Sequence, residues 1–192
     1  MLEALLEKGN GYIRTADVLE SGISKPMLAK YAAALGLERV AHGVYMSGDA
    51  WPDDYYLLAV RNRRIVFSYE SALYLHGLMD REPRVTTVTV PRSYNAAHIV
   101  AQGVRVVHIR PEWYGIGLSK TLTSAGNEVP VYDRERTICD IIRGKKDMEV
   151  QTFQTAMREY MGGPGKDLGR LIGYARTFGI EREVRTYTEV ML

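Results

Sequence analysis

The chain has 192 residues, 46% apolar and 25% charged, a globular composition with room for one large domain or two small ones. No apolar run approaches the ~20 residues that span a bilayer. The opening Met1-Leu-Glu-Ala-Leu-Leu-Glu7 is acidic where a signal peptide is basic. Cys139 is the only cysteine, so an internal disulfide is excluded, and a cytoplasmic protein without membrane attachment is expected. The net charge of +2 is unevenly spread. Residues 1–48 carry five basic and five acidic side chains, residues 81–132 six and three, and residues 133–192 eleven and ten.

Leu2, Leu5 and Leu6 predict a short amphipathic helix stopped by Gly9-Asn-Gly11. Thr15 is placed as the N-cap of a second helix through Ala16, Val18 and Leu19 that stops at Gly22. Ser24 caps a third, with Pro26 in its first turn, where a missing N–H costs nothing. Leu28, Tyr31 or Ala32, and Leu35 then face inward, and Gly36 ends the helix. Val40 and Val44-Tyr45 flank a glycine turn, Ala41-His-Gly43, as a hairpin. Two short helices, a tight turn and a two-stranded wing form the pattern that places one helix in a DNA groove.

Residues 51–62 predict a further helix with Tyr55, Leu58 and Ala59 inward, followed by a strand at 65–67 and a helix at 69–76. The polar link Met79-Asp-Arg-Glu-Pro83 marks a boundary within the window 48–84, giving domains of 1–80 and 81–192. Strands follow at 85–90, stopped by Pro91, and at 104–109, closed by Pro111. A hairpin joins 118–123 to 129–132. Asp133 caps a helix through Ile138, Ile141 and Ile142. Helices at 148–161, 167–178 and 181–192 form a tail broken by Gly162-Gly-Pro-Gly165. The expected fold class is α+β: an N-terminal winged helix-turn-helix domain, then a mixed α/β domain with a small sheet and a helical tail.

Lys25, Met27, Ala29, Lys30 and Ala33 fall on the exposed side of the third helix. Ser24 and the first-turn N–H groups suit a phosphate, Lys25 and Lys30 a phosphate or a guanine edge, and Met27 a thymine methyl. Arg39, His42 and Tyr45 on the wing, and Arg14 ahead of the second helix, are candidate backbone contacts. The competing explanation is a small helical bundle with a solvated charged face. Arg61-Asn-Arg-Arg64 reads first as favourable charge at a helix C-terminus and second as an extra phosphate contact. Arg81, Arg84, Arg92, Arg105 and Arg110 are candidates for a second basic face.

Catalytic and metal chemistry find little support. The four histidines lack ligand spacing, Cys139 lies in an apolar helix as a core thiol, and no phosphate-binding glycine loop is present. Asp133-Arg-Glu-Arg136 is the nearest approach to a nuclease motif, but it lacks the lysine and sits at a helix start. No catalytic residue, metal or cofactor is expected.

Three groups of segments in order carry a family likeness. They are Arg14-Thr-Ala-Asp-Val18 with Gly22-Ile-Ser-Lys-Pro26 and Leu37-Glu-Arg-Val-Ala-His-Gly-Val-Tyr45; then Ser68-Tyr-Glu-Ser-Ala-Leu-Tyr-Leu-His-Gly-Leu78 with Val88-Thr-Val-Pro91; then Val131-Tyr-Asp-Arg-Glu-Arg-Thr-Ile-Cys-Asp140. Across nearly its whole length the chain resembles the AbiEi antitoxins of abortive-infection type IV toxin–antitoxin systems. One departure is Tyr69, where the family's Ser-His-Glu-Thr-Ala-like segment has histidine. The resemblance implies a winged helix-turn-helix that represses its own operon by binding inverted promoter repeats in double-stranded DNA, with two copies on two half-sites. It also implies a C-terminal antitoxin domain that counteracts a nucleotidyltransferase-like toxin without a stable complex. The alternative is a protein-binding module that neutralises a toxin by direct contact. A weaker one is a nuclease built on Asp133 and Glu135.

Overall fold

A computed structural model describes residues 1–191. The chain is α+β and forms two compact units, one of Met1–Arg63 with Leu122–Val129 and one of Arg64–Thr121 with Pro130–Leu192. The division falls at Arg63, inside the window 48–84, rather than at residue 80. The strand at 66–67, which the sequence leaves open to either side of the boundary, hydrogen-bonds to later strands and so belongs to the second unit.

The first unit runs α1 (Leu2–Lys8), β1 (Tyr12–Arg14), α2 (Thr15–Glu20), α3 (Lys25–Ala34), β2 (Glu38–Ala41), β3 (Val44–Met46) and α4 (Asp54–Arg61). The hairpin is part of a three-stranded antiparallel sheet ordered β1-β3-β2, with β1 unforeseen in the sequence. Ile13 and Arg39 both pair with Tyr45, one from each side, and a bulge separates Arg39 from Ala41. At Gly11 the chain turns with φ +84°, and a Cβ there would lie 2.5 Å from the Ala50 Cβ. Ile13, Val18, Ile23 and Leu28 form the core between the helices and the sheet. Each contributes roughly 1.5–3 kcal/mol by leaving water.

A second cluster, Tyr12, Val44, Met46 and Leu57, seats α4. That helix begins three residues later than predicted, because Asp53 is its N-cap and accepts the Tyr56 N–H at 3.0 Å. Buried Asp53 also accepts from the Thr123 hydroxyl and, at 2.8 Å, from the Asn127 amide. These neutral donors satisfy a carboxylate that burial would otherwise penalise.

The second unit contains β4 (Val66–Phe67), α5 (Tyr69–Leu75), β5 (Thr87–Pro91), α6 (Ala97–Val100), β6 (Arg105–Ile109), α7 (Pro111–Tyr114), β7 (Leu118–Leu122) as far as Thr121, β8 (Glu128–Tyr132) from Pro130, α8 (Arg134–Arg143), α9 (Val150–Gly162), α10 (Leu168–Phe178) and α11 (Glu181–Met191). Its mixed sheet is ordered β6-β5-β4-β8-β7, with β4 parallel to β8 and β5 parallel to β6. Eight of the ten residues of α8 are buried, and Ile138 and Ile141 pack in one core with Leu73, Tyr160, Leu171 and Phe178. Cys139 lies in this core as a thiol pushed up to about 12 by burial.

Several local expectations need correction. Arg14, not Thr15, is the cap residue of α2, and Thr15 is already helical. Leu35 is 54% exposed instead of inward, standing at the C-cap where α3 has ended. Val85 is exposed and β5 starts at Thr87; Pro91 ends inside it, since its missing N–H falls at the strand terminus. Pro111 opens the short helix α7. Among the described residues no helix is long and apolar enough to cross a membrane.

Candidate nucleic-acid interface

The turn between α2 and α3 is built by Gly22 at φ +77° and by Ile23, which is buried against Val18 and donates its N–H to the Val18 carbonyl at 3.1 Å. Anchored there, α3 buries Leu28 and Ala32 and exposes Lys25, Met27, Ala29, Lys30 and Ala33. Met27 is 58% exposed, an apolar side chain on a polar surface. Ser24 stands at the N-cap with extended backbone, and its hydroxyl makes no capping bond. Hydroxyl and first-turn N–H groups therefore face solvent together.

The neutrality of residues 1–48 conceals a sorting of charge. Asp17 is engaged by Arg14, and Glu20 acts on the same guanidinium. Glu3 and Glu7 lie close enough to Tyr31 that, with burial, they raise its phenol. Glu38 stands opposite Met46, at the end of β2 away from the turn. Lys25 and Lys30 have no ion-pair partner among the described residues.

The wing places its residues unequally. Gly43, at φ +71°, accepts the Thr15 N–H on its carbonyl at 2.7 Å, so the hairpin turn is tied to the start of α2. Arg39 and His42 are exposed, with Arg39 Nη2 3.3 Å from His42 Nδ1. Tyr45 is half-buried, and its ring covers the Ile13–Leu28 core. Packing takes up the inner part of the side chain and leaves the rest accessible. Arg14 forms a bidentate pair with Asp17 at 2.7 and 2.8 Å. The pair orders the start of α2, and the Arg14 side chain stays 54% exposed.

Arg61 and Arg63, expected first as favourable charge at a helix C-terminus, have a further place in the fold. In the fold, Arg61 Nε donates to the Val40 carbonyl at 2.9 Å, and Arg61, Arg63, Val60, Ala41 and His42 line one open depression. A contact across 21 residues carries no local signal.

The five arginines of residues 81–110 do not make one basic face. Arg81, Arg84 and Arg105 line a cavity with Glu70, Glu82 and Glu149, so its charge is balanced. Arg105 also lies 3.7 Å from Glu70 and over the Tyr69 ring. Arg92 and Arg110 follow the far ends of β5 and β6, and Arg110 stacks on Trp113 at 4.5 Å. Arg105 and Arg110 are five residue steps apart along the strand, about 17 Å.

Asp133 and Glu135 have structural partners. Asp133 caps α8 and accepts the Tyr174 hydroxyl at 2.9 Å. Glu135 is buried and accepts from the Tyr160 hydroxyl and the Asp167 N–H at 3.1 and 3.0 Å. Neighbouring Arg136, fully buried, donates to Asp140 and to the carbonyls of Trp113 and Ile116, with its guanidinium 4.3 Å from both the Tyr132 and Phe178 rings. No cluster of His, Cys, Asp or Glu suited to a metal occurs among the described residues.

No family model and no curated protein sequence matches the chain. Among solved structures, the crystal structure of the Rv2827c protein from Mycobacterium tuberculosis is similar, with a TM-score of 0.55 at 16% identity over 91% of this chain and 69% of that one. At that identity the likeness is one of fold, and it extends through most of the α+β architecture described above.

Proposed function

We propose that the chain is a DNA-binding antitoxin of the AbiEi type, with a winged helix-turn-helix as its DNA reader. The observation that carries this reading is the order α1-β1-α2-α3-β2-β3 with a β1-β3-β2 sheet. In that order α3 is a buried-backed helix whose outer face offers Lys25, Met27 and Lys30. Such a face suits the major groove: two cations for phosphate or guanine, and small or apolar groups for thymine methyls. Arg39 and His42 contact backbone from the wing. Two copies on an inverted repeat add their binding free energies, so each needs only modest affinity.

The second unit carries the antitoxin activity, acting in the cytoplasm against a nucleotidyltransferase-like toxin. The segments around Ser68–Leu78 and Val131–Asp140 support this part by resemblance alone. Footprinting on the DNA upstream of the chain's own gene tests the reader and should give two protected half-sites about one helical turn apart. Co-expression with the adjoining gene product tests the antitoxin. Relief of growth arrest is the expected result, and arrest that persists with both proteins present at comparable levels contradicts it.

A further inference from the structure

The hydrogen bond from Arg61 Nε to the Val40 carbonyl fixes the last turn of α4 beside the β2–β3 turn. Around this junction stand Arg39, His42, Arg61 and Arg63, on an open depression floored by Ala41 and Val60. Arg63 is exposed and has no ion-pair partner among the described residues. The carboxylates on these elements lie elsewhere: Glu38 at the other end of β2, and Asp54 at the start of α4, about 11 Å along the helix from Arg61. The fold thus gathers the guanidinium groups of Arg39, Arg61 and Arg63 near His42, and none of the three has an ion-pair partner among the described residues.

We infer that the wing turn and the end of α4 form a single phosphate clamp on duplex DNA, with Arg63 and Arg61 as contacts additional to those of α3 and the wing strands. The inference rests on the DNA-binding reading above. An extended polyanion fits better than a small phosphate compound, because the depression is open and lined by exposed side chains of the wing turn and the end of α4. Arg61 is positioned by its Nε bond to Val40, which leaves its terminal nitrogens for an anion, as a planar fork suits phosphate. A clamp of this kind reads no sequence; it adds affinity on any duplex and sets the register of α3.

The experiment measures binding by fluorescence anisotropy from 50 to 200 mM salt, on two 30-bp duplexes, one from upstream of the chain's own gene and one scrambled. Arg63→Ala should lower the slope of log K against log[salt] by about 0.9, the value for one phosphate contact. It should weaken both duplexes by the same factor, and Arg63→Lys should restore most of the slope. Arg63→Gln, which removes the charge with less truncation than Ala, should repeat the Ala result; a Gln variant that keeps the wild-type slope where Ala loses it would assign the Ala effect to truncation. If wild type binds with a salt-dependent affinity that Lys25→Ala weakens while both neutral Arg63 variants keep its slope, the clamp is wrong and the DNA-binding reading stands. If wild type binds neither duplex, both fall.

Discussion

Arg136 donates from Nε to Asp140 Oδ2 at 2.9 Å, with both side chains closed off from solvent in the middle of the second unit. The pair sits one helical turn apart on α8, and the guanidinium is sandwiched by the rings of Tyr132 and Phe178. Removing Arg136 leaves the buried Asp140 carboxylate with only the longer, 3.4 Å contact to Arg143 Nη1 in a low-dielectric core. Arg136→Met should therefore destabilise the protein by about 3–5 kcal/mol, whereas Arg136→Met with Asp140→Leu should recover part of that loss. Recovery is incomplete because the carbonyls of Trp113 and Ile116 remain without their donor. Urea denaturation of the two variants provides the comparison; a double variant no better than the single one would contradict the assignment.

His76 gives a pH dependence with a definite sign. Its Nε2 lies 2.7 Å from the Tyr132 carbonyl, so the neutral ring donates there, and burial lowers its pKa below the ordinary value. The unfolded chain then binds the proton more readily than the folded one. Stability contributed by neutral His76 is present above about pH 6.5 and is lost as pH falls toward the lowered folded value. His76→Gln should flatten the stability profile between pH 5 and 7 relative to wild type. Parallel profiles would show that His76 is protonated equally in both states.

Asp53 joins an N-cap to a buried network. Asp53→Ala should cost about 2–4 kcal/mol, combining the lost cap of α4 with the donors of Thr123 and Asn127 left unpaired. Asp53→Asn keeps the cap and offers one acceptor oxygen, so thermal melting should place it between Ala and wild type.

Tyr45 distinguishes packing from DNA contact. Its ring covers Ile13 and Leu28, so Tyr45→Phe should leave both melting temperature and duplex affinity nearly unchanged. Tyr45→Ala opens that core and should lose about 3–5 kcal/mol of stability. A DNA-binding defect in a normally melting Tyr45→Phe would place the hydroxyl in the interface.

Much of the first unit was legible because its signals are local. Pro26 in the first turn, the Leu28 and Ala32 spacing and Gly43 in the turn each act within a few residues, and the structure places α3, β2 and β3 accordingly. Strand β1 was missed because Tyr12-Ile-Arg14 is too short to display an alternation. Helix α8 was found, but its depth was not. Glu135 and Arg136 read as part of a charged helix start, and partners at Trp113, Tyr160 and Asp167, distant in sequence, allow them to be buried. The expected basic face failed for a related reason: a run of arginines shows charge but not that Glu70 and Glu149 fold in beside it. The approach of Arg61 to the wing is likewise a property of the folded chain alone.

The central claim, that the exposed face of α3 reads DNA, is tested most directly by titrating wild type and Lys25→Ala/Lys30→Ala against a fluorescent duplex from upstream of the chain's own gene and a scrambled control. The account predicts tighter binding of the cognate duplex by wild type. It also predicts a loss of about 1–3 kcal/mol for each lysine that touches a base edge, with discrimination between the duplexes reduced. Unchanged affinity and discrimination in the double variant, with its fold intact by circular dichroism, would contradict it.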